Sequence, residues 1–203
     1  MGSLVSEGAI TKNKIEFCNS DKEWIGKFEK KWDKVFPDST LHLFERKPSS
    51  YGKRPYTRLE CHCRHTLEFL RNIGLDAVKS KGKTIPQTVL QSPKNITSTF
   101  LRAYFEGDGT ITTSTQKMIE LGCCSVSEEL INELQVLLLR FGIASAKRYD
   151  SYRKTHKLYI RSKSDLLRFY KEIGFISDRK DKLLELTILN YKKDFSQTDY
   201  VPF

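Results

Sequence analysis

Two acid-glycine pairs, Glu7-Gly8 and Asp108-Gly109, are the residues of this chain best suited to chemistry. Each closes a stretch that reads as a helix. Its carboxylate would therefore face the negative end of the helix dipole, at a cost of about 0.3 to 1 kcal/mol. A bound cation would remove that cost. Brought together, Glu7 and Asp108, flanked by Gly8 and Gly109, would make a site for a hard divalent cation such as Mg²⁺, which takes carboxylate oxygens. A single acid in such a position is more simply a solvated loop cap; the recurrence of the pair is what favours a metal.

The elements that must position these acids recur as well. The spacing predicts a helix from Ser98 to Gly109, with Phe100, Leu101, Tyr104 and Phe105 as its apolar stripe and Gly109 as its stop. Ala103 and Gly107 stand four apart, and small residues at that spacing let a second helix approach closely. Met1-Gly2-Ser3-Leu4-Val5-Ser6-Glu7-Gly8 repeats the pattern in shortened form, Gly2 and Ser6 matching Ala103 and Gly107. Behind the first pair comes a strand-like run, Lys14 to Cys18, then a capping box, Ser20 to Glu23, opening a helix with Ile25, Phe28, Trp32 and Val35 on one face. Behind the second pair, the run Glu120 to Cys124 precedes a capping box, Ser125 to Glu128, and a leucine-rich helix ended by Gly142. Two further strand candidates and a helix close each half, the helices running into Gly74 and Gly174. The offset between halves is 101 residues at the acids and 100 at these glycines. Such constancy predicts an α+β fold of two pseudo-twofold-related αββαββα repeats. Residues 1–95 form the first repeat with its linker and 96–203 the second.

The bulk composition narrows the partner. A 38% hydrophobic share is too rich for disorder, and no apolar run approaches the roughly 20 residues that cross a bilayer. A formal charge of +10 favours a polyanion. Five cysteines, an odd number, without a cleavable apolar leader point to free thiols in a reducing compartment, cytoplasmic or organellar.

Leu101-Arg102-Ala103-Tyr104-Phe105-Glu106-Gly107-Asp108-Gly109 resembles the LAGLIDADG, or dodecapeptide, motif of homing endonucleases, and Gly2 to Gly8 resembles it in shortened form. The resemblance implies two motif helices packed at the centre of a monomer, their terminal acids holding Mg²⁺ or another divalent cation such as Mn²⁺ at the scissile phosphates. It also implies curved antiparallel sheets lying on double-stranded DNA, which the enzyme cuts on both strands. Metal-assisted hydrolysis suits the acids, since a divalent cation activates water and neutralises the phosphate. By the same resemblance Lys83, before Ile85-Pro86, and Lys180, beyond Ile173-Gly174, match basic residues that orient water or offset phosphate charge. Glu106 receives no catalytic role, because Val5 stands at its equivalent. Because the first motif begins at Met1, most of the helix that the resemblance implies for it is missing, truncated at the N-terminus. Met1 is not a splicing nucleophile and Val201-Pro202-Phe203 is not a His-Asn ending, so an intron-encoded enzyme and an intein-derived endonuclease domain both fit. The competing expectation is a nucleic-acid-binding relative without cleavage, an intron RNA maturase or a transcription regulator.

DNA contacts are expected from alternating strands. In the segment Tyr56 to Cys63, Tyr56, Arg58, Glu60 and His62 share one face, where Arg and His can donate to guanine and Glu can accept from cytosine. Lys12, Lys14 and Glu16 form a similar row. From Ala146 to Lys163, seven basic residues face the single acid Asp150, with Lys147, Arg153, Lys157, Tyr159 and Arg161 the candidate contacts. One such row is ordinarily a solvated sheet face; rows at equivalent points of a repeat favour DNA. The cluster Cys61-His62-Cys63 does not read as a zinc site, because alternation turns His62 away from the two thiols and no partner pair stands at zinc spacing.

Overall fold

A computed structural model describes residues 1–48, 54–114 and 118–190. The terminal Val201-Pro202-Phe203 lie outside these residues. The first half runs α1 (Gly2–Glu7), β1 (Gly8–Ile10), β2 (Ile15–Asn19), α2 (Lys22–Val35), β3 (His42–Arg46), β4 (Tyr56–Cys61) and α3 (Arg64–Asn72). A 3₁₀ turn at Ser80–Gly82 and the short α4 (Gln87–Leu90) lead into the second half. There the order is repeated as α5 (Lys94–Asp108), β5 (Thr110–Ser114), β6 (Met118–Ser125), α6 (Glu128–Leu139), β7 (Ala146–Asp150), β8 (Thr155–Ile160) and α7 (Lys163–Glu172), followed by α8 (Asp178–Leu189). The halves form two antiparallel four-stranded sheets of matching order, β1-β2-β4-β3 and β5-β6-β8-β7. This is the α+β two-repeat architecture the spacing predicts.

The sheets and their covering helices follow from strand alternation. Ile15, Phe17, Leu59 and Cys61 point inward from the first sheet, and Leu121, Cys123, Leu158 and Ile160 from the second; all are buried. The two halves of the shared core are built from different chemistry. In the first, Phe17 stacks on Phe28 at 4.1 Å and meets Trp24 edge-on at 5.0 Å, and Trp32 donates its indole N–H to the Ser39 carbonyl. In the second, α6 buries Leu130, Ile131, Leu134, Leu137 and Leu138. Gly74 and Gly174, with φ of +96° and +64°, turn the chain sharply after α3 and α7, as left-handed glycines do.

Several local expectations are corrected. Helix α5 begins at Lys94 rather than Ser98, because Pro93 supplies the N-cap and opens the helix four residues earlier. The caps of α2 and α6 are Asp21, accepting from the Glu23 and Trp24 amides, and Ser127, accepting from the Leu130 amide; Ser20 and Ser125 lie too far upstream to cap. Strand β4 ends at Cys61, and Cys63 becomes the N-cap of α3. Strand β2 starts at Ile15, so Lys12 and Lys14 stand in the hairpin connection and only Glu16 lies on the strand. No helix of the described residues is long and apolar enough to cross a membrane.

Candidate active site and nucleic-acid interface

The site is built where α1 and α5 pack against each other. A Cβ on Gly2 would lie 2.9 Å from both the Ala103 Cβ and the Tyr104 amide nitrogen, and one on Gly107 would lie 2.8 Å from the Glu7 Cγ and the Ser6 Cβ. The helices thus touch along bare backbone, and the contact at Gly107 puts the Glu7 side chain beside the residue that precedes Asp108. Gly8 and Gly109 close the helices for the same steric reason: a Cβ on either would collide with the preceding turn, at Leu4 or at Phe105.

Burial opposes charge on the acids and the lysines of the site alike. Burial raises the Glu7 carboxyl above its ordinary value, repulsion from Asp108 adds to the rise, and Lys180, Lys83 and the Asn19 amide pull the other way. The Asn19 Nδ2 donates to Glu7 Oε1 at 3.2 Å from the end of β2. Burial likewise raises Asp108, against the Tyr104 hydroxyl and the same two lysines. The Tyr104 hydroxyl is buried beside Asp108 and makes no well-formed hydrogen bond. Burial also lowers both lysines, each offset by the carboxylates around it.

The lysines occupy equivalent positions. Lys83 donates to the carbonyls of Val5 at 2.9 Å and Gly8 at 3.1 Å, and Lys180 to that of Gly109 at 2.8 Å and to Glu106. Each ammonium therefore sits on carbonyls at the end of a motif helix, neutralising the negative end of its dipole within the acids' field. Glu106 has a structural task. Its buried carboxylate accepts from the Ile176 amide, the Ser177 amide and the Ser177 hydroxyl, at 2.8, 3.0 and 2.7 Å, fixing the N-terminus of α8 and with it Lys180. Both lysine-bearing segments are braced by the opposite half. The Ser127 hydroxyl at the start of α6 donates to the Lys83 carbonyl at 2.6 Å, and Lys27 of α2 donates to the Ile176 carbonyl at 2.9 Å.

The sheet faces turned away from the helices carry rows of basic residues. On the first sheet, Tyr56, Arg58 and Glu60 of β4 lie opposite Arg46, Phe44 and His42 of β3. His62 lies past the strand end but stays on that face, its Nε2 3.3 Å from Glu60 Oε2, and Lys14 reaches the same carboxylate at 3.2 Å. On the second sheet, Lys157 and Tyr159 share a face with Arg161, which stacks 4.3 Å from the Tyr159 ring centroid. Arg153 is exposed in the turn between β7 and β8, and Lys12 in that between β1 and β2. Lys147 is a correction. It pairs with the core residue Leu158, and its ammonium binds the Asn132 side chain of α6, so it points to the helix layer; Arg148, opposite Lys157, takes its place on the outer face. A strict count of alternation from Lys157 back through the turn would have found Arg148, but the register across that turn is not written locally.

The thiols make no site. All five are free, Cys61 lies 3.0 Å from the Ser39 hydroxyl, and among the described residues no three His, Cys, Asp or Glu side chains gather as metal ligands.

Residues 95–174 match the family model of the LAGLIDADG-like domain, and that stretch contains α5, its acid and the second sheet. Residues 95–174 thus form a LAGLIDADG-like domain. Among curated relatives it is 30% identical, over 92% of its length, to a tenth of the replication factor C small subunit of Methanocaldococcus jannaschii. It is 26% identical, again over 92% of its length, to a third of a DNA gyrase polypeptide of Mycobacterium gordonae. The chain thus spans a third or less of these relatives. Solved structures share the LAGLIDADG fold at low identity. They include the homing endonuclease I-WcaI bound to its DNA recognition sequence, with TM-score 0.63, 18% identity and 90% of this chain and 82% of that one covered. The I-DmoI complex with DNA and Mn has TM-score 0.58, 12% identity and 85% and 92% covered. Full-length DUF199/WhiA from Thermatoga maritima has TM-score 0.62, 17% identity and 95% and 58% covered.

Proposed function

We propose that the chain is a site-specific homing endonuclease that breaks both strands of a long double-stranded DNA target with the help of a divalent cation. The observation that carries this reading is the meeting of Glu7 and Asp108 at the joined ends of α1 and α5, between two lysines held on the same helix ends. The donor set fits Mg²⁺ or Mn²⁺: the two acids bring hard carboxylate oxygens, and burial opposes the charge of both while Asp108 adds repulsion on Glu7, which a cation would relieve. When bound, such a cation activates water and neutralises phosphate charge. Asn19 orients the Glu7 carboxylate, and Lys83 and Lys180 hold positive charge where the phosphate oxygens would approach.

The known complexes of similar fold with DNA, and with DNA and Mn, support this choice of partner and cation. The same length of chain recurs within a gyrase and within a replication factor, two proteins of different activity, and matches only part of each. A segment shared in that way behaves as a transferable module, which suits intron or intein mobility. Two unlike halves suit an asymmetric target read by one monomer.

The test is a plasmid carrying the uninterrupted insertion site, incubated with Mg²⁺ or with EDTA. Linear product with Mg²⁺ alone is expected. Glu7→Gln and Asp108→Asn should each abolish double-strand cutting and keep DNA affinity; full activity in either overturns the assignment. Binding by the unaltered chain without metal-dependent nicking would instead favour a maturase or transcription regulator.

A further inference from the structure

The outer faces of the two sheets carry an unexpected feature for a surface meant to attract phosphate: each buries a carboxylate in its middle. Glu60 and Glu120 are 6% and 4% exposed. A buried acid is costly unless its lone pairs are filled, and here they are filled by the residues that would read DNA. Glu60 accepts from Lys14 Nζ at 3.2 Å, lies 3.3 Å from His62 Nε2, and holds Arg58 by charge alone, its Nε 2.8 Å away without a formed hydrogen bond. Glu120 takes Arg161 through both Nε and Nη2, at 2.9 and 2.8 Å, and also binds Lys157. Burial acts to raise the Glu120 carboxyl, yet Lys157 and Arg161 outweigh it and hold the group below its usual range, so it is ionised. The basic groups so tethered are also stacked: Arg58 lies 5.8 Å from the Phe44 ring centroid and Arg161 4.3 Å from that of Tyr159.

We infer that Glu60 and Glu120 are positioning residues that set DNA specificity, one for each half of the target, by holding basic side chains in fixed directions toward base edges instead of leaving them to seek phosphates. This rests on the DNA-cutting reading above. A long basic side chain free on the surface binds any phosphate within reach, which gives affinity without sequence information. Tethered, it offers its remaining N–H donors along one line, and only a base pair with acceptors on that line is matched. The acids themselves are too fully occupied to accept from cytosine, so the expectation that Glu60 reads a base directly is replaced by an indirect role.

The experiment is selection from a duplex pool randomised across the footprint, in EDTA so that nothing is cut, with the unaltered chain, Glu60→Gln, Glu120→Gln and Glu120→Asp. Binding to one unrelated duplex is measured in parallel over a range of salt. Thermal melting verifies that each variant is folded. Glu120→Gln should flatten discrimination by about tenfold at base pairs confined to one half of the footprint. Its binding to the unrelated duplex should tighten, with a salt slope steeper by about 1 to 2. Glu60→Gln should do the same in the other half. Glu120→Asp keeps the charge but shortens the tether, so discrimination should fall while binding to the unrelated duplex stays unchanged. A selective unaltered chain whose variants are equally selective overturns this inference alone, as does a loss of affinity uniform over all sequences. An unaltered chain that binds no duplex overturns the DNA reading and this inference with it.

Discussion

At the scale of single residues, the acids that suit chemistry are held where burial opposes their charge. Glu7 and Asp108 have carboxyls raised by burial, so the folded chain holds their protons more tightly than the unfolded chain does. Their contribution to stability is therefore lost as pH rises out of the carboxylate range and both ionise. Metal-free Glu7→Gln and Asp108→Asn should consequently melt higher than the unaltered chain at neutral pH, by about 2 to 4 °C each if the relief is about 1 kcal/mol. The gap should close on acidification; calorimetry over that range reads it, and a gap that widens toward low pH would contradict the assignment. Divalent cation should raise the melting point of the unaltered chain and of neither variant. The acid pair was legible in the sequence because its recurrence is a matter of spacing. Its supports were legible only in part: Lys83 and Lys180 followed from the family resemblance, whereas Asn19 reaches Glu7 from another element and Ser177 meets Glu106 from 71 residues away.

At the scale of elements, periodicity gave the order of helices and strands, whereas caps and faces depended on details it does not carry. Asp21 rather than Ser20 caps α2 because the helix starts one residue later than the capping-box pattern suggests. The face of Lys147 turned on the register across the turn between β7 and β8. That register makes a sharp prediction. Arg148→Ala should weaken DNA binding and reduce the salt slope by about 1, whereas Lys147→Ala should leave both unchanged; titration at several ionic strengths separates them. The α1 and α5 seam makes another. Gly107→Leu drives a side chain into Ser6 and Glu7, and should cost about 1 to 3 kcal/mol in urea denaturation together with most of the cutting.

At the scale of the whole molecule, the near-constant offset made the duplication visible, but it did not tell that the two copies had filled their interiors differently. The first half of the core rests on Phe17, Trp24, Phe28 and Trp32 and the second on the leucines of α6. Trp32→Ala should cost about 3 to 5 kcal/mol and Leu134→Ala about 2 to 5. If the halves unfold as one cooperative body, both losses appear in a single transition followed by any probe. Separate transitions would show that each copy stands alone.

The bracing of each lysine-bearing segment by the opposite copy bears on how such a molecule can be reshuffled. Lys83 is presented to α1 by a segment that α6 holds from across the seam, and the segment leading to Lys180 is gripped by Lys27 of α2. A hybrid joining one half of this chain to a half from a distant relative would inherit its reading surface intact but lose a strut on each flank of the acids. Such a hybrid should grip its composite target and cut it poorly until Lys27 and Ser127, or their counterparts, are grafted along with the halves they serve.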